Sequence, residues 1–183
     1  MESKIKVILG SVRTNRAGKS IADWVMRQTE KYQGSLSFEL IDLKKINLPF
    51  LDEPVSPMSS DNYTHEHTKK WSKVIGEANG FVFVTPEYNR GYSPVLKNAI
   101  DFLYNEWKGK PVAFVGYGGS GARNSITQLR VILNFIGMTP LEDQVGIGKI
   151  WEAVDAQGNV KEQYIRGDIL DIFSQLENIL NNK

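Results

Sequence analysis

Between Gly80 and Asp101 the chain passes from an apolar run through a polar, aromatic loop into a helical pattern, and this passage constrains the fold most. Phe81 to Val84 are apolar on both parities, which suits a strand covered on both faces of a sheet. Thr85-Pro86 ends it, because proline has no amide to donate to a ladder. Ser93-Pro94 reads as an N-cap followed by proline at the first helical position, and Leu96, Ile100 and Leu103 recur behind it at helical spacing. The intervening loop carries Pro86, Glu87, Tyr88, Asn89, Arg90, Gly91 and Tyr92. In an open α/β sheet ligands lie beyond the carboxyl ends of strands, which is where this loop falls.

The same alternation runs along the chain. Strand patterns occur at Ile5–Leu9, Leu36–Ile41, Phe81–Val84, Val112–Val115 and, more weakly, over 139–147. Helical faces lie at Ile21–Met26, Trp71–Ala78, 93–105, Ile126–Ile136 and Ile165–Ile179. Residues 42–64 are irregular, and a loop or hairpin is expected at Asp155–Asn159. Strands alternating with helices predict βαβ units and one parallel sheet. The expected architecture is one domain over 1–183: a five-stranded doubly wound sheet of order 2-1-3-4-5 with helices on both faces. Its switch point falls between strands 1 and 3, so loops 10–20 and 85–92 flank one crevice.

Three loops compete for chemistry. Gly18-Lys19-Ser20 resembles the end of a phosphate-binding P-loop, but Arg13 stands where that motif needs its first glycine, so Lys19 reads as a solvated lysine. Gly116-Tyr-Gly-Gly-Ser-Gly121 matches a dinucleotide fingerprint literally, yet it follows the fourth strand and only one strand follows it. Its glycines instead let a flat ligand approach the backbone, the plainer alternative being a strand-to-helix turn. Ser11, Arg13, Asn15 and Arg16 precede a helix N-terminus, where hydroxyl, guanidinium and free amides suit a phosphate monoester. His65 and His67 lack the spacing of a His-Glu-x-x-His metal site, and no carboxylate cluster accompanies them. Ser11 has no nucleophile elbow around it.

The net charge of +1 gives no argument for nucleic acid or an anionic membrane, and no apolar run approaches the ~20 residues of a span. The N-terminus reads as a strand rather than a signal peptide. With no cysteine there is no thiolate chemistry or Cys-ligated metal, and the composition fits a reducing, cytoplasmic compartment.

A phosphate loop after strand 1 and an aromatic loop after strand 3 suit a mononucleotide with a flat ring, FMN. Gly10-Ser-x-Arg13-x-x-Arg16-x-Gly18, Tyr63-x-His65-x-His67-Thr68, Thr85-Pro-Glu-Tyr-Asn89 and Tyr117-Gly-Gly119 resemble the NADPH-dependent FMN reductases. This flavodoxin-like group also holds azoreductases and quinone or chromate reductases. The likeness spans strand 1 to the helix after 121, about two-thirds of the chain; Pro-Glu-Tyr-Asn is its most specific part. It implies that Ser11, Arg13 and Arg16 hold the FMN phosphate, with Asn15 a further candidate in the same loop. It implies that Pro86, Glu87, Tyr88 and Asn89 line the isoalloxazine mainly through backbone, and that Gly118, Gly119 and Ser120 face its pyrimidine edge. It also implies NADPH or NADH as hydride donor and a small-molecule acceptor. A homodimer or homotetramer is implied too, with Tyr92, Tyr104 and Trp107 expected as exposed aromatics near the interface. A flavodoxin-type one-electron carrier is the alternative; such carriers are usually acidic, and +1 fits poorly. A flavin-free binding module on the same fold is a third reading.

Overall fold

A computed structural model describes Glu2 to Asn182; Met1 and Lys183 lie outside the described residues. In chain order its elements are β1 (Ser3–Leu9), α1 (Ala17–Thr29), β2 (Leu36–Asp42), α2 (Leu43–Ile46), α3 (Glu66–Gly76), β3 (Gly80–Pro86), α4 (Pro94–Asp101), β4 (Pro111–Tyr117), α5 (Arg123–Phe135), β5 (Thr139–Pro140), β6 (Val145–Ile147), α6 (Ile150–Ala153), β7 (Ile165–Arg166) and α7 (Ile169–Asn181). The sheet order is β2-β1-β3-β4-β6-β7, with β5 also paired to β4. Every pairing is parallel except β6 with β7. The expected order therefore holds, with a short antiparallel strand added at the edge.

The apolar strand 81–84 alternates between two cores. Phe81 and Phe83 pack with Trp71, Trp107, Phe114 and Leu129 on the face covered by α3, α4 and α5. Val82 and Val84 pack with Ile21, Val25, Val115 and Phe173 on the face covered by α1 and α7. A strand covered on both faces needs apolar residues on both parities, and β3 is wholly buried.

Four local expectations are corrected. The strand expected over 139–147 divides into β5 and β6, because Arg130 takes the carbonyls of Leu141 (3.0 Å) and Glu142 (2.6 Å) and pulls that backbone away from the ladder. The helix after Pro94 stops at Asp101 rather than near 105. Its Ala99 and Ile100 carbonyls accept the indole N–H groups of Trp71 (2.8 Å) and Trp107 (3.1 Å), which helps satisfy the C-terminal end. Trp107 is thereby fully buried, and Tyr92 and Tyr104 are half-buried, so none of the three is an exposed aromatic. The terminal helix starts at Ile169, capped by Asp168, and leaves Ile165 in β7.

Residues 47–64 have no regular element, yet side chains tie them down. Asn98 bonds the Pro49 carbonyl (2.7 Å) and the Leu51 amide (3.0 Å). Glu53 accepts the amides of Thr64 (2.8 Å) and His65 (3.0 Å) at the start of α3. Burial pushes the Glu53 carboxyl up, but the nearby Thr68 hydroxyl, which completes no well-formed bond, and the Thr64 and His65 amides outweigh it and hold the pKa at about 2. His67 meets the Asp52 carboxylate at 2.9 Å, and the two histidine rings stack. Among the described residues no cluster suited to a metal ion includes them.

Candidate functional site: a crevice at the sheet switch point

The loops after β1 and β3 meet at the carboxyl ends of adjacent strands. Their contact is a hydroxyl pair: Ser11 Oγ lies 3.0 Å from the Tyr88 hydroxyl. Ser11 is buried, held at the strand end by the Gly10 amide bonding the Val84 carbonyl at 2.9 Å.

The four expected phosphate-loop residues differ in their commitments. Arg13 and Asn15 are exposed, and no hydrogen bond or ion pair holds either side chain among the described residues. Arg16 is committed: it bonds the Ser11 carbonyl and forms a two-point pair with Asp42, at 2.8 and 2.5 Å. Burial pushes the Asp42 carboxyl up, but Arg16 and the Lys44 amide outweigh it and hold the group below the usual carboxylate range. Lys19 pairs with Asp23 one turn on, as a solvated lysine does. Arg16 is also the N-cap of α1 but makes no side-chain cap, so the helix presents its first amides uncapped. Uncapped amides, a buried hydroxyl and an unpaired guanidinium are donors and positive charge, the set that a phosphate group fits.

Gly18 has a steric role. A Cβ there would come within 2.2 Å of the Tyr117 hydroxyl, so the first turn of α1 can pass the end of β4 only without a side chain. The Tyr117 hydroxyl is buried, and Ser11 approaches it without completing a well-formed hydrogen bond. Burial pushes this phenol well above its ordinary pKa.

The loop after β3 is a tight hairpin. Tyr88 and Gly91 exchange both backbone hydrogen bonds at 2.9 Å. Asn89 and Arg90 at its tip have φ of 50° and 64°, the signature of a type I′ turn and a conformation that asparagine tolerates better than most residues. Gln128 of α5 pins the tip through the Arg90 carbonyl at 2.9 Å. Glu87 turns toward α5. Its carboxylate accepts the amides of Asn124 (2.9 Å) and Ser125 (3.2 Å), the cap that Ala122 cannot supply. Pro86 is buried in β3, so its backbone alone can border a ligand.

Only part of the glycine loop is open. A Cβ at Gly116 would meet the Gly121 carbonyl at 2.4 Å, and one at Gly121, whose φ is +75°, would meet Gly146 at 2.9 Å, so both serve packing. Gly118, Gly119 and Ser120 form the accessible stretch. The Gly118 amide donates to Ile147 (3.1 Å), whereas no acceptor among the described residues takes those of Gly119 and Ser120. A Cβ on Gly119 would touch only the Trp151 ring, at 3.9 Å.

Sequence reasoning missed Asp42 and Trp151. Asp42 was findable, because it ends β2 opposite Leu9, at the carboxyl end of the strand that leads into the phosphate loop. Trp151, 70% exposed and beside the glycine loop, carries no local signal; the irregular path after β6 brings it there.

Fold and crevice together define a doubly wound α/β domain whose switch-point loops suit a mononucleotide with a flat ring. The chain belongs to the NADPH-dependent FMN reductase family, an oxidoreductase family whose members use FMN and NAD(P)H, and that family matches residues 3–152. It is 48% identical over 136 residues to an NAD(P)H-dependent FMN reductase of Schizosaccharomyces pombe, covering 74% of this chain and 68% of that one. It is 36% identical over 176 residues to an NAD(P)H-dependent FMN reductase of Saccharomyces cerevisiae, covering 88% and 92%. Its fold is similar to that of FerB, a flavoenzyme NAD(P)H:(acceptor) oxidoreductase from Paracoccus denitrificans. There the TM-score is 0.69, the identity 24% and the coverage 98% and 94%.

Proposed function

We propose that the chain is a single-domain FMN-dependent oxidoreductase of the cytoplasm. It takes hydride from NAD(P)H and passes it to a quinone, azo compound, metal oxyanion or flavin by a ping-pong mechanism. The observation that carries this reading is the uncapped N-terminus of α1 beside buried Ser11 and unpaired Arg13.

When bound, FMN supplies hydride acceptance and delivery; the protein supplies position and electrostatics. Arg13, Ser11 and the α1 amides hold the phosphate. Arg16, committed to Asp42, contributes by fixing Ser11, and Asn15 borders the loop. Backbone from Pro86 to Asn89 and from Gly118 to Ser120 lines the ring. The free amides of Gly119 and Ser120, rather than the α5 amides occupied by Glu87, would be the donors available to negative charge on a bound flavin. The side chains of Glu87 and Tyr88 are spent on Asn124, Ser125 and Ser11, so neither is free as an acid or base. In a ping-pong reaction donor and acceptor would occupy the site in turn.

Homo-oligomerisation is supported by an apolar surface among the loop over 50–58, α4 and α5. Phe50, Val131 and Phe135 are 87%, 69% and 71% exposed there, beside a groove of about 530 Å³.

The phosphate assignment is tested with Arg13→Ala. One charge-assisted contact is worth about 1.5–3 kcal/mol, so FMN affinity falls about ten- to a hundredfold while riboflavin affinity changes far less. Equal losses for the two ligands would remove Arg13 from the phosphate site.

A further inference from the structure

A cavity of about 760 Å³ lies beside the glycine loop, beyond the crevice. Ser120, Gly121 and Arg123 at the start of α5 form one wall, and residues from Gln144 through β6 to Lys149 and from Gln163 to Gly167 around β7 form the rest. Three cations line it, Arg123, Lys149 and Arg166, and none of its eleven lining residues is acidic. The cations are exposed and lightly committed. The Arg123 side chain makes no hydrogen bond or ion pair among the described residues; its carbonyl is engaged, by the Thr127 hydroxyl at 3.0 Å. Lys149 reaches Glu152 only at 4.0 Å, with both side chains largely solvated. Arg166 uses one terminal nitrogen on the Gln163 and Ile165 carbonyls, at 3.1 and 2.9 Å, which leaves the rest of its fork free.

A lone surface arginine is ordinarily just solvated. Three cations around one concave wall, against the single carboxylate of Glu152 that stands outside the lining 4.0 Å from Lys149 and takes the Tyr164 hydroxyl at 2.8 Å, leave a net positive potential, and a focused field selects anions. The volume lies in the range of small-molecule sites and far exceeds that needed by a single inorganic anion. Much of the wall is backbone at Gly121, Gly146, Gly148 and Gly167, which leaves room for a bulky group between the charged side chains.

Ser120 belongs both to the accessible glycine loop and to this cavity. A ligand in the cavity therefore borders the open glycine loop. We propose that the cavity holds the phosphorylated adenosine end of NADPH, with Arg123, Lys149 and Arg166 facing its ribose 2′-phosphate. This rests on the oxidoreductase reading above and deepens it: the chain discriminates NADPH from NADH, which lacks the 2′-phosphate, through these three cations.

The test uses the FMN-loaded protein. Calorimetric binding of adenosine 2′,5′-bisphosphate and of adenosine 5′-monophosphate needs no turnover. The bisphosphate binds more tightly to the wild type, and Arg123→Ala and Arg166→Ala each weaken it about tenfold or more, the scale of one charge-assisted contact. In steady state each variant lowers kcat/KM for NADPH by a similar factor. For NADH and for an uncharged quinone it stays within about twofold, by the same reasoning. Arg123→Lys retains part of the NADPH preference, and FMN content is unchanged throughout. Equal losses for NADPH and NADH, or bisphosphate binding that is indifferent to both arginines, would overturn the assignment. So would variants whose only defect is toward an anionic acceptor. If the wild type oxidises neither dinucleotide, the oxidoreductase reading fails, and bisphosphate binding still decides what the cavity holds.

Discussion

The Arg16 guanidinium grips both carboxylate oxygens of Asp42, at 2.8 and 2.5 Å, and joins the entry of α1 to the end of β2. The side chains are only 10% and 8% exposed. Removing one member of a buried pair leaves the other charge stranded, at about 3–5 kcal/mol. Arg16→Ala is therefore expected to cost about 3 kcal/mol in urea unfolding and to weaken FMN binding by loosening Ser11. Arg16→Met combined with Asp42→Asn strands no charge and keeps a side-chain acceptor near the Lys44 amide, so it regains most of the stability. A loss below about 1 kcal/mol for Arg16→Ala would mark the pair as a solvated surface contact.

Gly18 and Tyr117 meet where α1 crosses the end of β4. Gly18→Ala forces its Cβ onto the phenol, 2.2 Å from the hydroxyl and 2.9 Å from Cζ. Overpacking of this kind typically costs about 1–3 kcal/mol. Tyr117→Phe removes the closer clash, so the double variant is more stable than the sum of the single changes predicts. Additive losses in thermal and denaturant unfolding would show that the ring does not set the glycine requirement.

The fold was legible because its determinants are local. The unbroken apolar parity of 81–84, the Ser93-Pro94 start and the Gly137 stop of α5 each name a strand or helix end, and the alternation of types does the rest. Errors arose where distant side chains take over backbone groups. Arg130 divides the last strand by claiming the Leu141 and Glu142 carbonyls, and two tryptophans settle at the end of α4. The crevice was legible by position; the commitments of its side chains were not. Arg13 and Arg16 look alike in sequence, yet only Arg16 lies opposite an acid from another strand. Glu87 sits in the most specific motif but caps a helix that begins 36 residues later.

Acid should loosen the segment before α3. The folded Glu53 pKa is about 2 against an ordinary 4.5. Because the folded value is the lower one, its contribution is fully present above the ordinary value and is lost as the pH falls from 4.5 toward 2. The stability gap between wild type and Glu53→Gln should be constant near neutrality and shrink through that window. A gap that persists unchanged at the acid end would mean the carboxylate charge does not hold the loop.

Whether this crevice binds FMN and turns over NAD(P)H there is decided by one anaerobic experiment. The protein is loaded with FMN, freed of excess and mixed with one equivalent of NADPH while the flavin's visible absorbance is followed; a quinone is then added. The expected result is loss of the oxidised-flavin absorbance with NADPH alone, its return with the quinone, and parallel double-reciprocal lines in steady state. Glu87, Tyr88 and Asn89 variants that keep FMN are expected still to turn over. Failure to retain FMN, or retained FMN that NADPH leaves oxidised, would overturn the oxidoreductase reading, the second result favouring a one-electron carrier.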